Sequence, residues 1–103
     1  MRDDFQPAVY ILARIPRDLT YIGVTSNLVQ RIAQHRDGSF PGFANRYALW
    51  RLMVFELFGT MDLAIAREKQ LKNWHRGWKH GLIVASNPDW CDLAEGLGFL
   101  PLA

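Results

Sequence analysis

Apolar and polar positions along this 103-residue chain change period several times, and each change marks an element. The run AVYILARI, residues 8–15, is apolar, β-branched and aromatic, and stops at Pro16, which predicts a strand. Pro16 and Asp18 in PRDL are turn formers, and TYIGV follows at once, so the two strands are expected to pair as an antiparallel hairpin. Thr25, Ser26 and Asn27 then offer N-caps, Leu28 and Ile32 recur at helical spacing, and Gly38 stops a first helix that runs to Asp37. The stretch GSFPGFANRY, residues 38–47, has the composition of a loop. ALWRLMVFELF, residues 48–58, predicts a third strand, although its apolar run in isolation could be mistaken for a buried helix. Gly59 closes it, and Thr60 caps a second helix, MDLAIAREKQLKNW, with Asp62 at the positive end of the dipole. A break near Gly77 precedes a third helix, RGWKHGLIVA, and NPDWCDLAEGL ends in a turn and a short helical piece. The order strand, strand, helix, strand, helix, helix contains no repeated parallel crossover. It predicts an α+β fold on a three-stranded antiparallel sheet flanked by helices, as one domain over residues 1–103.

Composition narrows the class. Half of the residues are hydrophobic, enough for one compact core. No run approaches the roughly 18 to 20 apolar residues of a membrane span, and MRDDFQ lacks a secretory pattern, so a cytoplasmic protein with no membrane partner is expected. The single cysteine, Cys91, has no internal partner for a disulfide and is expected to be a semi-buried hydrophobe. The net charge of +2 is small, but its distribution is uneven. Six arginines face two acids between Arg14 and Arg51, and five cations face one acid, Glu68, between Arg67 and Lys79. Folded to one side, these two segments make a surface suited to phosphates.

AVYIL followed by TYIGV, then NLVQRIAQH, a third strand and AIAREKQLKNW, resembles the GIY-YIG nuclease superfamily, in particular small members similar to the N-terminal nuclease domain found in excinuclease. The resemblance runs from about residue 8 to residue 93. Tyr10 matches the tyrosine of the first motif, and Tyr21, Ile22 and Gly23 match the second letter for letter, while Ala8 and Val9 stand where the first motif has glycine and isoleucine. The second tyrosine comes eleven residues after the first, Arg31 ten after that, and a glutamate stands on the next long helix. The resemblance implies a divalent-metal-dependent endonuclease that hydrolyses DNA phosphodiesters, in repair or recombination, with one Mg²⁺ or Mn²⁺.

Such chemistry needs a water, a proton acceptor, cations for the charge on the phosphorane and help for the leaving oxygen. Tyr10 and Tyr21, on neighbouring strands, can bring two phenols to one site, and the resemblance implies that one of them acts as base or positions the water without saying which. Arg31 and His35 share one face of the first helix, four residues apart. Arginine's fork suits a reacting phosphate, and the imidazole can tune a phenol. Glu68, the lone acid in its basic stretch, is the expected metal ligand, with an i,i+4 ion pair to Lys72 as the plainer alternative. Gly23 is expected to allow close approach of a substrate phosphate. Lys69 and Lys72, with Arg76 and Lys79, can grip a DNA or RNA backbone, while Trp74 and Trp78, which could stack on bases, are expected in the core. Asn87 reads as a turn former, and His75 and His80 have no assignable partner. The rival class is a non-catalytic nucleic-acid-binding module on the same scaffold, and a plainer third is a protein-interaction domain. A protein partner or a dimer is compatible with every one of these readings.

Overall fold

The computed structural model describes residues 5–14, 19–40, 42–46, 48–74 and 76–100; the turn expected at Pro16 and Asp18 and the unassigned His75 lie outside them. Strand β1 (Ala8–Ala13) pairs antiparallel with β2 (Thr20–Thr25) on one side and with β3 (Arg51–Leu57) on the other, giving the order β2-β1-β3. Every residue of the central strand is buried, because both faces of the sheet are covered. On one face Ala8, Tyr10 and Leu12 pack with Leu28 and Ile32 of helix α1 (Leu28–Asp37), and with Ala44, Leu49, Leu52 and Ala94. On the other, Val9, Ile11 and Ala13 meet Ala64 and Leu71 of α3 (Met61–Lys72), Ile83 of α4 (Arg76–Ser86), and Trp90. The period of two thus splits β1 between two cores, which is why its sequence is apolar throughout.

The caps follow local chemistry. The side chain of Asn27 accepts from the Gln30 amide at the start of α1, Thr60 does the same for Leu63 at the start of α3, and Gly38 closes α1 at φ 81°. Thr25, a candidate cap, instead ends β2, and its hydroxyl oxygen accepts from the Asn27 amide.

The structure departs from the sequence reading at several places. The third strand begins at Arg51, not Ala48, because Ala48 holds a left-handed φ of 57° that no strand can contain. A register shift between Ile11 and Leu12 opposite β3 sends both Met53 and Val54 into the same core, so the alternation expected of a strand is lost there. The expected loop contains a one-turn helix α2, Phe43–Arg46. The break between α3 and α4 falls at Asn73 and Trp74, whose amides close the last turn of α3, while Gly77 lies within α4. Cys91 is exposed rather than semi-buried. Trp78 is 64% exposed rather than in the core, whereas Trp74 does pack against it, half-buried. No described helix is long and apolar enough to cross a membrane.

The C-terminal segment is tied to the first layer by a buried ion pair. Asp92 accepts from the Arg36 guanidinium with one carboxylate oxygen and from the Leu52 and Ala94 amides, at 3.0 and 3.1 Å, with the other. Arg36 also donates to the carbonyls of Trp50 and Leu100, and its guanidinium lies 5.1 Å from the centre of the Phe99 ring. One ion pair therefore joins α1, the start of β3 and the 3₁₀ turn Leu93–Leu97. Asn87 performs a similar service on the other layer. Its amide nitrogen donates to the Met53 and Cys91 carbonyls, and its oxygen accepts from the Cys91 amide.

Candidate active site

Tyr10 sits at the centre of the candidate site. It is fully buried on β1, and its cross-strand partner on β2 is Gly23. A Cβ on Gly23 would stand 2.4 Å from both Cζ and Oη of Tyr10. The phenol therefore lies across the glycine, and the close approach that Gly23 permits is by this ring. Tyr21 faces Leu12 rather than Tyr10, so the two phenols are diagonal neighbours, with ring centres 6.2 Å apart.

Helix α1 lays Arg31 and His35 over the same end of the sheet. His35 is buried, its Nε2 is 2.9 Å from the Tyr10 hydroxyl, and its ring meets both tyrosines edge-on, with centres 5.7 and 5.6 Å away. Arg31 donates from Nη1 to the Val24 carbonyl at 3.4 Å, so its guanidinium reaches the edge strand. Glu68 arrives from α3, the helix covering the opposite face. β2 is an edge strand, and here groups from the two layers come within electrostatic reach of one another. Their combined field is felt at Tyr10. Burial pushes its pKa up to about 12, hydrogen bonding and charge at Arg31 oppose the rise, and the charges of Tyr21 and Glu68 add to it.

His35 is pushed the other way. Burial first, and the Arg31 charge second, lower its pKa to about 4, so the imidazole is neutral at physiological pH. The Tyr10 hydroxyl and Nε2 of His35 share one hydrogen bond; with the phenol as its donor, the ring N–H is on Nδ1. That Nδ1 is buried without a hydrogen-bond partner.

The sequence reading missed Phe40. Gly38 turns the chain, the Phe40 amide donates to the Gln34 carbonyl, and the Asp37 carboxylate accepts from the amide and hydroxyl of Ser39. The ring is thereby folded back over α1, where Arg31 Cζ stacks 4.3 Å from its centre and the His35 ring lies 4.8 Å away. An apolar residue two positions after a C-capping glycine was the available signal. Phe40→Ala is expected to let water reach the imidazole and raise the His35 pKa from about 4 toward the ordinary value of about 6.5, as read by an NMR titration of the ring. An unchanged titration would show that the tyrosines alone bury it. The same depression has a sign for stability. The neutral imidazole contributes in full above the unfolded value of about 6.5, and its contribution is lost as the pH falls through about 4.

Of the expected site residues, Tyr10, Tyr21, Gly23, Arg31 and His35 come together, and Glu68 is felt at Tyr10. The Glu68 side chain is 17% exposed, with Lys72 at 3.5 Å, so the plainer ion pair is also formed. Lys69 and Lys72 are exposed on α3. Asn87 is occupied with main-chain bonds in the other layer, and His80 packs edge-on against Trp90. Among the described residues no three His, Cys, Asp or Glu side chains gather as a metal cluster.

Comparison with known proteins gives the same picture. The solution structure of UPF0213 protein BH0048 from Bacillus halodurans matches with a TM-score of 0.54 at 24% identity, covering 82% of this chain and 89% of that one, a likeness of fold. No curated protein matches the chain. The family model described as the GIY-YIG catalytic domain matches residues 6–80, which contain both tyrosines, the glycine, Arg31, His35 and Glu68. A match over well more than half of the 103 residues, on this β-β-α-β-α-α scaffold, makes the chain a member of the GIY-YIG nuclease superfamily.

Proposed function

We propose that this protein is a divalent-metal-dependent endonuclease that hydrolyses DNA phosphodiesters, working as a single domain in the cytoplasm, in repair or recombination. The observation that carries the reading is the convergence on one buried phenol of Arg31, His35, Tyr21 and the charge of Glu68, contributed by two strands and two helices.

A phenol near pKa 12 is no resting phenolate at neutral pH, so Tyr10 works as a relay. Because Tyr10 is closed to solvent in the free protein, water reaches it only once substrate binding opens the pocket. Its oxygen then takes a proton from that water while its own proton passes to Nε2 of His35, 2.9 Å away. The exposed part of Tyr21 orients the water or the substrate at the mouth of the site. Arg31, stacked on Phe40 and permanently charged, offsets the charge that develops on the phosphorane. Lys69 and Lys72 contact the backbone that flanks the scissile bond.

Glu68 fits one Mg²⁺ or Mn²⁺. Its carboxylate is a hard oxygen donor, partly open to water, and these ions keep several waters and need only one or two carboxylates. The Lys72 pair is long and half exposed, which makes it weak and displaceable. The cation, when bound, supplies Lewis-acid stabilisation of the phosphoryl oxygens.

The test incubates pure protein with labelled duplex, single-stranded and branched DNA, with Mg²⁺, Mn²⁺ or chelator, beside Glu68→Gln. Cleavage that needs the metal and disappears in the variant is the expected result. Salt-sensitive binding without cleavage under any of these conditions would replace the enzyme by the binding module. Equal cleavage by both proteins would remove Glu68 from the site.

A further inference from the structure

We propose that Trp78 is a stacking platform for an unpaired nucleobase, and hence that the substrates of this protein present single-stranded DNA. The proposal rests on the nuclease reading above and names its substrate class.

Trp78 lies on the first turn of α4 and is 64% exposed, an unusual position for the largest apolar side chain. It is nevertheless held in place. Trp74 meets it edge to face, with ring centres 6.1 Å apart and planes at 86°. Trp74 in turn packs on the core and under the Arg67 guanidinium, 5.2 Å from its ring centre. Arg67 is fixed by two hydrogen bonds, at 2.8 and 3.1 Å, to the Glu56 carboxylate on β3. An indole buttressed in this way presents its free surface without an ordering cost on binding.

The surroundings decide what that surface takes. Lys69 and Lys72 are exposed on the preceding helix and Lys79 is the next residue, while the charge of Arg67 is already met by Glu56. Cations that follow phosphates, next to a ring that accepts any base face, are the combination by which single strands are bound. A duplex keeps its bases stacked inside and offers the indole nothing. A second copy of the chain would set these lysines against their like, which disfavours self-association through this face. The platform follows the helix that carries Glu68. Glu68 and Lys72 are one helical turn apart, a rise of about 6 Å, Trp74 follows two residues on, and the Trp78 ring lies just beyond it.

The experiment measures fluorescence anisotropy of a labelled oligothymidine and of a labelled, fully paired two-strand duplex, in chelator at fixed salt, for wild type, Trp78→Ala and Trp78→Phe, with circular dichroism as the check of folding. Trp78→Ala is expected to lower the affinity for the single strand about tenfold relative to the duplex, and Trp78→Phe to recover most of it. Equal weakening of both ligands, or no change in either, overturns the proposal. So does a concentration-dependent dimer of the wild type that Trp78→Ala abolishes, because the indole would then be an interface residue. The two readings fail separately. Metal-dependent cutting with no single-strand preference defeats the platform and leaves the nuclease, whereas a Trp78-dependent preference without any cutting defeats the nuclease and leaves the stacking.

Discussion

Gly23→Ala is expected to reduce kcat by about 100-fold or more, although the substitution adds one methyl group and removes no functional side chain. The new Cβ would stand 2.4 Å from Cζ and Oη of Tyr10 and 2.8 Å from Cε1, all far inside contact distance. Tyr10 has no room to retreat, because it is completely buried between the sheet and α1. Either the ring leaves His35 or the two strands separate, and both outcomes break the 2.9 Å contact with Nε2. Overpacking of this kind costs about 1–3 kcal/mol of stability as well, which thermal unfolding would register. Steric conflict with the phenol makes a further prediction. In a Tyr10→Leu background, itself poorly active, adding Gly23→Ala should cost almost no additional activity, because the pair acts as a unit. Full activity of Gly23→Ala alone would mean that Tyr10 is not required where the structure places it.

Asp92→Ala is expected to be the most destabilising single substitution outside the site, by about 3–5 kcal/mol. Removing the carboxylate strands a guanidinium whose side chain is only 13% exposed, and it also takes the acceptor from the Leu52 and Ala94 amides. Against a typical domain stability of about 5–15 kcal/mol this is a large share, and in a chain of this size it corresponds to a fall of about 15 °C in Tm. Asp92→Asn keeps an acceptor for the two amides and should lose about half as much. Scanning calorimetry of both variants, with Arg36→Met/Asp92→Leu as the apolar replacement, separates charge from packing. A shift under about 3 °C for Asp92→Ala would show that water, not Arg36, satisfies this carboxylate. The consequence reaches the site, because Arg36 is the residue after His35 on α1, and a loosened C-terminal segment frees the helix that carries Arg31 and His35.

Much of this was legible along the chain, for reasons that can be named. Asn27, Thr60 and Gly38 act within three residues of themselves, so the ends of α1 and the start of α3 could be read from capping chemistry. The spacing of Arg31 and His35 placed both on one helical face, and the YIG triplet placed a glycine beside a tyrosine strand. The start of β3 was not legible because the left-handed Ala48 leaves no compositional trace, and Met53 and Val54 break alternation only because a bulge admits both to one core.

By itself, then, the order of residues determined the main strands and helices, the sheet class and the residues of the GIY-YIG motifs, all of which depend on short-range periodicity, caps and recognisable motifs. Only the tertiary structure decided who meets whom. Tyr10 lies over Gly23, not opposite Tyr21; Phe40 stacks on Arg31; Asp92 holds Arg36 across 56 positions; and Trp78 stands in water. These outcomes turn on register, on which face of β1 each helix covers, and on the desolvation that a particular packing imposes, and none of those quantities is a property of a local window of sequence.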